Sequence, residues 1–156
     1  MVSEFRVRDI GSRTAIYGVV GNNVAHSLSP VMHNAAFAAS GIDAVYVPLL
    51  ASDVDDCLAF ANALDIRGVS VTIPYKVDAL AASSSADALT RRVGAANTLR
   101  RATDGRGWDA TNTDVGGFLD ALRAVYPMNL SGTRVAVLGA GGAVRAVVAG
   151  LVRSEE

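Results

Sequence analysis

Short apolar runs rich in β-branched residues alternate along this chain with stretches of helical spacing, and no other feature restricts the fold as much. Such alternation packs helices against a largely parallel sheet, because each spacer is long enough to cross over between strands. The expected strands are Ala15–Val20, Ala44–Leu49, Gly68–Ile73, Ala96–Arg100, Trp108–Thr113 and Arg134–Leu138. Ser29–Pro30 reads as an N-cap followed by proline at the first helical position, with Gly41 as the stop. Ser52 and Asp55 read as a cap opening a helix on which Val54, Leu58, Ala61 and Leu64 recur. Asp104–Gly105 is a hairpin signal between the fourth and fifth strands, which makes the sheet mixed. Asp114 reads as the cap of a further helix through Phe118, Leu119 and Leu122 that stops before Pro127. Ser83–Ser85 reads as a loop between helical turns. The fold class is α/β, a mixed, mostly parallel sheet flanked by helices.

The end of the chain departs from this rhythm. Arg134–Leu138, then GAGGA, then Val144–Val152 reads as a truncated Rossmann-type strand–loop–helix, the start of a dinucleotide-binding unit. Gly139, Ala140, Gly141, Gly142 and Ala143 would bring backbone N–H groups and a helix N-terminus to a pyrophosphate. Tight strand–helix turns also want glycine, and the sixth place of the pattern is Val144 rather than a small residue. The acid that holds a ribose lies ~20 residues past the glycines, which falls beyond Glu156. Glu155 and Glu156 stand at a helix end rather than a strand tip. The expected division is 1–114 for an α/β domain with a leader over 1–13, 115–131 for a connecting helix and linker, and 132–156 for an incomplete dinucleotide-binding unit.

Composition removes several functions. Of the 156 residues 51% are hydrophobic and 19% charged, which excludes extended disorder, and a net charge of −1 argues against a nucleic-acid or anionic-membrane surface. The apolar runs fall far short of the ~18 residues of a membrane span, and the charged opening lacks the apolar centre of a signal peptide. One cysteine, Cys57, leaves no intramolecular disulfide and suits a reducing cytoplasm. His26 and His33 are separated by the Ser29–Pro30 break and have no acidic or thiol companion, so no metal site is expected.

Thirteen arginines accompany a single lysine, Lys76. A site that needs an amine to release a proton cannot use guanidinium, although a GC-biased genome with one leftover lysine gives the same count. Ser27 and Ser29 follow the first strand, Thr72 and Lys76 follow the third, Asn97 lies on the fourth and Asp114 ends the fifth. Parallel sheets bind ligands outside the carboxyl ends of their strands, so these side chains form a concave polar set suited to a small polyhydroxylated acid. Two hydroxyls two residues apart can both donate to a carboxylate; helix capping by Ser29 and a water-facing Ser27 are the plain alternatives. A lysine beside an aspartate can serve as an acid/base pair, the carboxylate orienting the ammonium while burial favours a neutral amine. A solvated ion pair is the alternative for Lys76–Asp114, and a turn amide for Asn97.

HSLSP, HNAAF, SVTIPYK, GAANT, TNTDVGGF and GAGGAVRA, in this order, resemble the shikimate dehydrogenase family over about residues 15–150. The resemblance implies that Ser27 and Ser29 hold the substrate carboxylate, that Thr72, Asn97 and Asp114 hold ring hydroxyls, and that Lys76 and Asp114 are the catalytic pair. It implies NADP, with NAD as the alternative, and reversible reduction of 3-dehydroshikimate to shikimate, in the biosynthesis of aromatic amino acids. Ser70 stands where many members carry Asn before the VT pair, and Ser at this place resembles the branch fused to dehydroquinate dehydratase. The leader through Gly21 resembles the joint of such fusions, which would make Met1 an artificial start. Members run to about twice this length, so the chain is expected to bind shikimate without reducing NADP by itself. The alternatives are a shikimate- or quinate-binding module, a subunit of a split dehydrogenase, or an unrelated nucleotide-binding α/β protein. A strand at 134–138 without parallel neighbours is expected to drive self-association, folding back or aggregation.

Overall fold

The computed structural model describes residues 10–126 and 131–153. The leader up to Asp9, Pro127 and the Glu155–Glu156 pair lie outside the described residues. In chain order the elements are β1 (Ala15–Val20), α1 (Ser29–Ala39), β2 (Ala44–Leu49), α2 (Val54–Ala63), β3 (Gly68–Val71), α3 (Lys76–Ala81), β4 (Ser85–Ala86), α4 (Ala88–Val93), β5 (Thr98–Arg101), β6 (Trp108–Thr111), α5 (Asp114–Val125) and α6 (Gly142–Arg153).

The strands form one sheet in the order β2-β1-β3-β5-β6-β4. β1 is parallel to β2 and β3, and β4 is parallel to β6, whereas β5 runs antiparallel to both β3 and β6. The mixed, mostly parallel reading therefore holds. The hairpin at Asp104–Gly105 is the cause of the reversal: Gly105 and Gly107 take φ of 73° and 88°, and the Asp104 carboxylate accepts the Arg106 N–H at 2.8 Å.

Helices cover both faces, so neighbouring positions such as Val19 and Val20 are both buried. On one face Val20, Leu49, Val69, Val71 and Leu99 pack with Val54, Leu58 and Ala61 of α2. On the other, Val19, Val24 and Tyr46 meet Phe37 of α1. Asn34 of α1 also closes the open edge of β2, donating to the Tyr46 carbonyl at 2.9 Å and accepting its N–H at 2.8 Å. A third cluster joins Val93, Ala95, Val115 and Leu119 to Ala146 and Ala149 of α6. Among the described residues no helix is long and apolar enough to cross a membrane.

Several local expectations shift. Ser29 is inside α1 rather than capping it; Leu28 holds the cap position, and the Ser27 hydroxyl instead accepts the Ser29 N–H at 3.2 Å. α2 is capped one residue later than Ser52, by Asp53 accepting from Asp56 N–H at 2.8 Å, while the Asp56 carboxylate returns to the N–H of Ser52. Asp53 wins because a carboxylate accepts more strongly than a hydroxyl at the positive end of a helix. Asp114 likewise begins α5 instead of capping it; Thr113 is the cap residue. β3 ends at Val71, β6 ends at Thr111 and β5 starts at Thr98. Ser83–Ser85 is not all loop, since Ser85 pairs with Asp109 in the two-residue β4. Residues 134–138 form no ladder: a strand exists only by pairing, and no described neighbour reaches them, which leaves Val135 and Leu138 exposed. The helix after the glycines is present as α6.

Candidate active site

The sheet register fixes the site. Val20 of β1 lies beside Val71 of β3, so the chain leaves both strands at one edge, with Gly21 against Thr72. The backbone joins the two exits: Thr72 N–H donates to the Val20 carbonyl at 2.9 Å and Asn22 N–H to the Ile73 carbonyl at 3.1 Å. β5 enters at that edge because it is antiparallel; its preceding residue, Asn97, accepts from Val71 N–H at 2.7 Å. β6 leaves there again, delivering Asn112, Thr113 and Asp114. The carboxyl ends of β1, β3 and β6 and the amino end of β5 thus share one rim, as expected of ligand sites in such sheets.

Lys76 and Asp114 meet on this rim. Lys76 Nζ donates to Asp114 Oδ2 at 2.6 Å, with side chains 16% and 30% exposed, so the pair is neither in the core nor freely solvated. Lys76 is placed by its backbone, whose carbonyl accepts Ala96 N–H at 2.7 Å, and by its neighbour Tyr75, whose hydroxyl donates to the carbonyls of Ala51 and Ser52, both at 3.0 Å. Asp114 sits at the N-terminus of a 12-residue helix, where the helix dipole favours a carboxylate.

Asn97 ties the set together. Its Nδ2 donates to Asp114 Oδ1 and to Thr113 Oγ1, each at 2.8 Å, and its Oδ1 accepts Thr113 N–H and the Thr98 hydroxyl, each at 3.0 Å. Both Asp114 oxygens therefore have partners, one cationic and one neutral. The strand expected to carry Asn97 begins at Thr98, so Asn97 stands just before β5 rather than on it.

Asn112 and Thr113 were not singled out by sequence reasoning. Asn112 is buried; its Nδ2 donates to the Ala95 carbonyl at 2.8 Å, and its Oδ1 accepts Asp114 N–H at 3.0 Å. That last bond is the turn an Asn makes with the residue two ahead, a signal present in the Asn112–Asp114 triplet. Ser27 and Ser29 sit on the same rim, after β1, and Thr72 after β3; like Lys76, Asn97 and Asp114, all three are half-buried. No described hydrogen bond links Ser27, Ser29 or Thr72 to the Lys76–Asp114 pair.

The glycine loop is also near. Gly139 takes φ of +128°, a conformation that side chains resist, and nothing lies within 4 Å of a Cβ added at Gly141. α6 begins at Gly142, against the stem of Lys76. Open backbone at a helix N-terminus fits a phosphate-bearing cofactor.

Comparison with known proteins accords with this geometry. Residues 19–99 match the family model of the shikimate dehydrogenase substrate binding domain. A shikimate dehydrogenase (NADP(+)) of Anaeromyxobacter dehalogenans is 47% identical over 146 residues, which are 92% of this chain and 51% of that protein. The chain spans about half the length of the curated relatives it matches. Among solved structures, shikimate dehydrogenase from Aquifex aeolicus aligns with a TM-score of 0.81 and 34% identity, over 94% of this chain and 55% of that one. Shikimate 5-dehydrogenase from Thermus thermophilus in complex with NADP(H) and shikimate aligns with a TM-score of 0.76 and 35% identity, over 90% and 52%.

Proposed function

From its substrate-binding domain this chain belongs to the shikimate dehydrogenase family, and we propose that it is the substrate-binding part of an NADP-dependent dehydrogenase interconverting 3-dehydroshikimate and shikimate. The observation that carries the proposal is the 2.6 Å contact of Lys76 with Asp114, buttressed by Asn97, on the rim where the strands end. In this reading Ser27 and Ser29 hold the carboxylate of the substrate, and Thr72, Asn97 and Asp114 hold its ring hydroxyls. When the reacting hydroxyl is oxidised, Lys76 Nζ takes its proton; in the reverse direction Lys76 returns it. Asp114 keeps the amine aimed at the oxygen and offsets its charge. Gly139, Ala140, Gly141, Gly142 and Ala143 would hold the cofactor phosphates, and the nicotinamide supplies the hydride chemistry when bound. In the dehydrogenase that contains this domain, Lys76→Ala is expected to lower turnover by ~10²–10⁴-fold, the usual scale for an acid/base group.

The division into a substrate-binding domain over 1–114, a connector over 115–131 and a nucleotide unit from 132 belongs to the same proposal. A cytoplasmic location fits the buried free thiol of Cys57. Self-association through 134–138 is supported by the exposure of Val135, Val137 and Leu138; sedimentation at rising concentration tests it, and a monomer throughout counts against it.

Thermal denaturation with ligands tests the function. Shikimate is expected to raise the melting temperature of the chain in a saturable way, because it binds the folded state alone. Benzoate, a ring carboxylate without hydroxyls, has nothing to offer Thr72, Asn97 and Asp114 and is expected to have little effect. Equal shifts with both ligands, or none with shikimate, would reject the proposal.

A further inference from the structure

A Cβ built on Gly142 would stand 3.3 Å from both Cβ and Cδ of Lys76 and 3.8 Å from its Cγ. At Gly141, one residue earlier in the same loop, nothing lies within 4 Å. One glycine of the loop, not the loop as a whole, is fitted to the lysine stem.

Neither side of that contact can easily retreat. The ammonium end is held by Asp114 at 2.6 Å, and the backbone end by the Ala96 N–H at 2.7 Å. α6 is pressed inward by Ala146 and Ala149, buried among Val93, Ala95, Val115 and Leu119. Further along, a Cβ at Gly150 would reach 3.3 Å from Phe118 Cδ1 and 3.4 Å from Leu119 Cγ. A methyl at 142 would therefore push on the stem, and the soft coordinate is the torsion that carries the amine.

We infer that Gly142 is a positioning residue for Lys76: its missing side chain lets α6 close over the lysine stem and keeps the amine on Asp114. The functional meaning rests on the role proposed for Lys76, but the contact can be tested without substrate or nucleotide.

Lys76 is the sole lysine, so its amine can be followed by itself in the whole chain. The ¹⁵N signal of lysine-labelled protein reports its surroundings, and acylation followed by peptide mass gives its reactivity. Gly142→Ala is expected to shift that signal and to speed acylation about three- to tenfold, because an amine displaced from its carboxylate is no longer shielded by that hydrogen bond. Gly141→Ala adds the same methyl to the same loop and is expected to leave both values unchanged. Wild-type behaviour of Gly142→Ala, or equal changes in both variants, would overturn the inference. A second measurement needs no variant: nuclear Overhauser contacts between the Gly142 Hα protons and the Lys76 side chain are expected, and their absence would also overturn it. Failure of shikimate to bind would sink the functional proposal and leave these readouts intact.

Discussion

Lys76 Nζ lies 2.6 Å from Asp114 Oδ2, although 38 residues separate the two in the chain. Two sheet exits, one after β3 and one after β6, bring them together, and Asn97 from the start of β5 holds the second Asp114 oxygen. The pair is a product of topology, since the two side chains meet only because the chain leaves β3 and β6 at the same rim.

Asp114→Ala leaves the Lys76 ammonium, 16% exposed, without its carboxylate. The expected cost is about 1–3 kcal/mol in chemical denaturation, the range for stranding a largely buried polar group. Asp114→Asn keeps an acceptor oxygen and is expected to cost less. Equal stability of the wild type and the alanine variant would contradict this.

Gly94 ends α4 with φ of +69°. Gly94→Ala is expected to destabilise by about 1 kcal/mol through backbone strain. The new Cβ would stand 3.0 Å from Arg145 Nη1, the end of a flexible side chain, so strain outweighs the clash. A melting temperature unchanged by the substitution would refute the assignment.

The Thr90 hydroxyl is buried, with its residue 0% exposed and no described hydrogen-bond partner. Thr90→Val keeps the shape and removes the desolvated group, so stability is expected to rise by up to about 1 kcal/mol. The backbone cap from Thr90 N–H to Asp87 Oδ1 at 2.7 Å is untouched by the change. Destabilisation by more than this amount would mean that the hydroxyl has a partner.

Burial, with a smaller contribution from Asp56, raises the Cys57 thiol from 9.0 to about 11. The folded state therefore holds this proton more tightly than the unfolded one. Its contribution is full below pH 9.0 and is lost as pH rises toward about 11, with a slope of at most about 1.4 kcal/mol per pH unit. Denaturation across that window should show the loss in the wild type and a shallower one in Cys57→Ala; identical profiles would contradict it.

Most of the sheet was legible because the apolar runs and the Asp104–Gly105 turn report the backbone directly. The caps were less so: Ser29, Ser52 and Asp114 are all good cap residues, and a one-residue choice among hydroxyls and carboxylates depends on where the preceding loop comes from. The stretch 134–138 has strand composition and no strand, since pairing is non-local and composition is not. At the site, Lys76 and Asp114 could be singled out by type and strand-end position. Asn112 left one local signal, its turn to Asp114, but its bond to the Ala95 carbonyl and that of Thr113 N–H to Asn97 exist only once the chain around β5 and β6 has folded.

A calorimetric titration with shikimate, run on the chain and on Asp114→Asn, tests the account most directly. The account predicts saturable one-to-one binding by the wild type and an affinity at least about tenfold weaker in the variant, the loss of one charge-assisted contact. The same affinity in both proteins, or no heat from the wild type, would show that the rim formed by Lys76, Asn97 and Asp114 is not where this molecule meets its ligand.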